Sequence, residues 1–125
     1  MTSLAIVERA YRGAVEVSYF DALYLGIEIH RQLGLDVLLR GEAVGYALAA
    51  EAAAPIRIGG HLLTTLDAPR EDLRRLRDAG AGIWVEEDAL AALGIGRHRL
   101  IDGVRSAAPG ELAARWPEYD RVFYL

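Results

Sequence analysis

The sequence predicts a single-domain α/β fold with about five mostly parallel strands and helices on both faces, in flavodoxin-like layering. Three observations carry that expectation. Short aliphatic runs recur at residues 4–7, 36–40, 82–85, 100–104 and 121–125. Most lack the polar alternation of a half-exposed strand, so they read as strands covered on both sides. Helical patterns lie between them, several closed by glycine or stopped by proline. The chain has 125 residues, 53% of them hydrophobic, enough for one core without staples and suited to one domain over residues 1–125.

Leu4-Ala5-Ile6-Val7 is the first strand, ended by Glu8 and Arg9 and followed by a turn through Tyr11, Arg12 and Gly13. A helix is expected over residues 17–33. Its apolar arc exceeds half the circumference, although covering one sheet needs only roughly 100°. The excess predicts a second covering surface, another helix or another subunit. Gly34 closes this helix. The second strand spans residues 36–40, and the strand–helix–strand order implies a right-handed parallel crossover. Gly41 leaves the carboxyl end of that strand, and a helical pattern is expected to continue to about Ala53, stopped by Pro55.

Ile56-Arg57-Ile58 alternates like a small strand and Gly59-Gly60 breaks it. Residues 61–66 fit strand, loop or helix lead-in, and their pattern does not separate the three. Asp67-Ala68-Pro69 opens a helix to about Ala79 with a narrow Leu73–Leu76 stripe. Gly82-Ile83-Trp84-Val85 is the third strand of the sheet and runs into Glu86-Glu87-Asp88. A short helix closed by Gly94 follows. Residues 100–104 are a fourth strand candidate, residues 106–116 a helix, and residues 121–125 the last strand.

Composition excludes several chemistries. With no cysteine there is no disulfide, no thiolate metal site and no carrier for a persulfide. All 14 basic residues are arginine, so a lysine Schiff base is excluded. The net charge of −4 argues against nucleic acid, which needs a basic face. Arg70, Arg74, Arg75 and Arg77 are interleaved with Glu71, Asp72 and Asp78, the pattern of a solvated helix face. No apolar run approaches the roughly 20 residues that span a bilayer. Residues 1–3 carry no signal-peptide pattern, so a cytoplasmic location is expected. His30, His61 and His98 lack metal-ligand spacing. The Gly80-Ala81-Gly82 and Gly94-Ile95-Gly96 pairs lack the third glycine of a dinucleotide fingerprint. No metal and no cofactor is expected.

In a parallel sheet, sites gather beyond the carboxyl ends of strands. That rule nominates Tyr11, Arg12 and Gly13 after the first strand, Arg40 and Gly41 after the second, and Glu86 and Glu87 after the third. The acids have a purely structural use as well, since carboxylates at a helix start complement its dipole. The arginines among these residues suit an anion.

The layout also resembles a known family. The residues that carry the likeness are Leu4-Ala5-Ile6-Val7 opening into a turn with Tyr11 and Gly13, and a long apolar helix. They continue with Asp36-Val37-Leu38-Leu39 leading to Gly41-Glu42-Ala43-Val44, and Gly82-Ile83-Trp84-Val85 leading to a short helix ending at Leu93-Gly94. Glu111-Leu112 ahead of Val122-Phe123-Tyr124 completes it. Together they resemble the DsrE/DsrF-like sulfur-relay proteins, which include the TusBCD and DsrEFH subunits. The likeness is nearest to a DsrF/TusC-like subunit without a cysteine. It implies a five-stranded α/β fold, homo- or hetero-oligomers, and persulfide handover between partners. Catalytic members carry a cysteine after the third strand, where this chain has Glu86 or a near neighbour. The expectation is therefore a non-catalytic subunit, structural or regulatory, with a cysteine-bearing DsrE-like subunit as one candidate partner. The alternative is a homo-oligomer of the same fold that binds a small anion.

Overall fold

The computed structural model describes residues 2–9, 22–50, 54–64 and 68–125. The elements in order are β1 (Ser3–Val7), α1 (Ala22–Leu33), β2 (Leu35–Leu39), a 3-10 helix (Gly41–Ala47), β3 (Ile56–Ile58), β4 (His61–Leu63), α2 (Ala68–Asp78), β5 (Ile83–Glu86), α3 (Glu87–Ala92), β6 (Arg105–Ala107), α4 (Glu111–Ala114) and β7 (Arg121–Tyr124). Short 3-10 turns at Arg97–Arg99 and Trp116–Glu118 complete them.

Five strands form one sheet in the order β6-β5-β2-β1-β7, and every neighbouring pair is parallel. Alternation along each strand sorts side chains to two faces. On one face Ala5, Val7, Val37, Leu39, Ile83 and Val85 pack against Leu23 and Ile27 of α1, Leu73 and Leu76 of α2, and Leu90 of α3. On the other, Leu4, Ile6, Leu38, Trp84 and Ala107 pack against Leu112 of α4, with Tyr119 and Val122 beside them. This is the α/β architecture with helices on both faces that the aliphatic runs predict. The connections from β1, β2 and β5 all advance the sheet in one direction. The connection from β6 returns across it to β7 on the far side of β1. Right-handed crossovers then place α4 on the face opposite α1, α2 and α3.

Three expectations are corrected. The helical pattern after Gly41 ends at Ala47 as a 3-10 helix, because Leu48 forms an antiparallel bridge with Leu100 instead. Ala49 N–H donates to Arg99 O at 2.7 Å and Ile101 N–H to Ala47 O at 2.7 Å. That same pairing removes residues 100–104 from the sheet, and the strand there is Arg105–Ala107. Ser106 and Ala107 thus belong to β6, and the helix expected over 106–116 shrinks to Glu111–Ala114, with Pro117 inside a 3-10 turn. The ambiguous 61–66 segment resolves in part. His61–Leu63 pairs antiparallel with Ile56–Ile58 across the Gly59-Gly60 turn. Residues 65–67 lie outside the described residues, as does the expected helix start at 17–21.

Candidate functional site

The carboxyl ends of β1, β2, β5 and β7 lie side by side, since Ile6 is in register with both Leu38 and Tyr124, and Leu38 with Trp84. Two residues on from Leu38 and Trp84, on the same face, stand Arg40 and Glu86. These two sequence-predicted residues meet: Arg40 Nε is 2.9 Å from Glu86 Oε1. The hydrogen bond to Glu86 raises the Arg40 guanidinium above its ordinary value, against the opposing effect of burial. The Nε atom is itself buried, while the Arg40 side chain as a whole is 36% exposed and that of Glu86 19%. One donor thus faces Glu86, and the remaining N–H groups of the guanidinium keep donor capacity in hand.

The pair lines a cleft of about 160 Å³ whose other walls are Ile6, Leu38, Gly110, Ala113, Trp116 and Tyr124. Gly110 and Ala113 come from the start and body of α4 and Trp116 from the 3-10 turn after it. These residues are the ones sequence reading missed. Only Tyr124 carried a usable signal, as the carboxyl-end residue of the last strand.

The remaining candidates separate. Glu87 does not share the cleft: its Oε1 pairs with Arg97 and accepts Ser106 Oγ–H at 3.3 Å. Glu86 precedes α3 but makes no side-chain cap bond, so its carboxylate faces Arg40 and not the helix start. Glu87 and Asp88 in the first turn still complement the helix dipole. Gly41 plays a backbone part. Its φ is +50° and a Cβ there would stand 3.2 Å from Glu8 O, so glycine lets the chain turn off β2 beside the end of β1. Tyr11, Arg12 and Gly13 lie outside the described residues.

Next to the cleft, two arginines lie over Trp84. The guanidinium carbons of Arg105 and Arg115 lie 5.2 and 5.4 Å from its ring centre, within cation–π range. At the opposite end of β2, Asp36 ties three elements. Its Oδ1 accepts Gly82 N–H and its Oδ2 accepts Tyr119 O–H, each at 2.9 Å. Among the described residues, no group of three or more His, Cys, Asp or Glu could hold a metal. Ser106 has a carboxylate neighbour but no histidine to take its proton. The cleft thus offers recognition groups, a coupled cation and anion above apolar walls. Among the described residues, no helix is long and apolar enough to cross a membrane.

No protein-family model matches the chain, and no curated protein sequence matches it. Its structure is similar to that of the YchN protein of E. coli, with a TM-score of 0.73, 22% identity and coverage of 100% of both chains. At that identity the likeness shows the fold, a five-stranded parallel sheet with helices on both faces as the sequence predicts.

Proposed function

We propose that the chain is a non-catalytic, cysteine-free subunit of an oligomeric sulfur-relay or sulfur-metabolism assembly of the DsrE/DsrF-like kind, structural or regulatory in role. The observation that carries this reading is the residue at the end of β5. The resemblance puts a persulfide cysteine there, and this chain has Glu86 bound to Arg40, with no cysteine anywhere in the sequence. A carboxylate forms no persulfide and repels a thiolate. Exposed apolar side chains support the oligomer. On the β3–β4 hairpin, Ile56, Ile58 and Leu62 are about half exposed, and α1 exposes Tyr24, Leu25 and Leu33.

The test is the mass of the purified chain by sedimentation, alone and mixed with a cysteine-bearing DsrE-like protein encoded beside it. A complex of defined stoichiometry that alters the lifetime of the partner's persulfide supports the proposal. A chain that stays monomeric in both samples overturns it. A second reading, a homo-oligomer that binds a small molecule, is favoured by the cleft at Arg40 and Glu86.

A further inference from the structure

We infer that the cleft takes a small zwitterion with an apolar body, of the chemical class of an aliphatic α-amino acid. This deepens the small-molecule reading and rests on it. It is independent of any sulfur relay.

The position comes first. The connection leaving β5 runs to α3, whose Leu90 packs on one face of the sheet, while that leaving β6 runs to α4, whose Leu112 packs on the other. Adjacent strands whose connections part to opposite faces open a crevice at their carboxyl ends, the place where α/β sheets bind ligands. The cleft lies beside that parting, on the α4 face: Glu86 ends β5, Gly110 and Ala113 follow β6, and Ile6, Leu38 and Tyr124 from β1, β2 and β7 form the rest of its sheet side.

Charge then selects the ligand class. An anion alone would meet Arg40 only by approaching Glu86 as well, and the carboxylate already beside the guanidinium would repel it. A cation alone meets the converse problem. A ligand carrying both signs on neighbouring atoms avoids both penalties. In an α-amino acid the ammonium nitrogen and a carboxylate oxygen are about 3 Å apart. Arg40 Nε and Glu86 Oε1 are 2.9 Å apart, so the protein presents the same spacing with the signs reversed. Nε is occupied by Glu86, but the guanidinium carries further N–H donors and the Arg40 side chain is 36% exposed, so hydrogen bonds remain to be made to a ligand carboxylate.

The walls set the body. Ile6, Leu38 and Ala113 are apolar, and Trp116 and Tyr124 are flat aromatics. At about 160 Å³, the space is below the roughly 300 Å³ at which drug-sized sites begin. It therefore admits a short aliphatic side chain and excludes a nucleotide or a peptide.

The test is isothermal titration of the full chain with leucine, with isocaproate, which lacks the ammonium, and with isoamylamine, which lacks the carboxylate. Leucine is expected to bind about tenfold or more tightly than either half-molecule, since each lacks one charge-assisted contact. In Glu86→Gln the leucine affinity falls to that of isocaproate, while isocaproate binding holds or improves. If isocaproate equals leucine in the unmodified chain, the zwitterion inference is overturned and the cleft is a simple anion site. If Glu86→Gln leaves leucine binding unchanged, the assignment of the ammonium is overturned. If none of the three binds at millimolar concentration, both this inference and the small-molecule reading fall.

Discussion

Single residues in this chain are held by contacts whose removal has a readable cost. Gly82 is required for room. A Cβ there would stand 2.6 Å from two carbons of the Trp84 ring and 3.0 Å from Asp36 Oδ1. Gly82→Ala is expected to destabilise by about 1–3 kcal/mol in urea unfolding, the usual cost of overpacking. Gly45→Ala has no atom within 4 Å of the added carbon and should be neutral or stabilising by up to about 1 kcal/mol. Equal effects from the two would refute the packing argument. Tyr119 makes a pH prediction. Its phenol is pushed from the ordinary 10.0 up to about 12, first by burial and then by its hydrogen bond to Asp36. A group whose folded value is raised adds stability in full below its unfolded value and loses it as pH climbs through the folded one. The window is therefore between 10.0 and about 12. The chain has no lysine, so no ammonium side chain titrates across this range. Tyr119→Phe should flatten the fall in stability over that window, read by unfolding at a series of alkaline pH values.

At the scale of elements, His30 joins three of them. Leu35 N–H at the start of β2 donates to its Nδ1 at 3.0 Å, which makes Nε2 the protonated nitrogen, and Nε2–H donates to Ala79 O after α2 at 3.0 Å. His30→Ala is expected to cost about 1–2 kcal/mol, since a part-buried N–H loses its acceptor. His30→Gln should recover part of that in thermal unfolding. Spacing along the chain showed only that His30 lacks a metal-ligand partner and could not reveal a bond to a residue 49 positions away. The same contrast runs through the strands. β1, β2, β5 and β7 were legible because Leu4, Leu39, Val85 and Val122 belong to continuous apolar runs. β6 was not, because as an edge strand of Arg105, Ser106 and Ala107 it buries only alanine. Leu100 and Ile101 supplied a decoy, being apolar for a bridge to the 3-10 segment and not for the sheet. At the site, Arg40 and Glu86 were found by the strand-end rule. Gly110, Ala113 and Trp116 were hidden because a crossover over the far face brings them in, and nothing local marks that return.

For the molecule as a whole, the hairpin is the conspicuous surface. A two-stranded ribbon is marginally stable by itself in water, and here Ile56, Ile58 and Leu62 are 46%, 56% and 53% exposed. None of the three belongs to either core cluster. Replacing all three by serine is therefore expected to leave the circular dichroism spectrum in place while shifting sedimentation to smaller species. An unchanged mass would show that the hairpin is not the contact surface. The order of the sheet has a consequence for how the chain comes into being. β1 sits between β2 and β7, so Ser3–Val7 waits for residues 121–124, more than a hundred positions further on, before its second edge is filled. At a ribosomal pace of about 5–20 residues per second, that edge stays open for several seconds. Long-range parallel pairing is also slow once the chain is released. Newborn copies made side by side on one messenger thus present an aliphatic, unpaired strand to one another until residues 121–124 arrive.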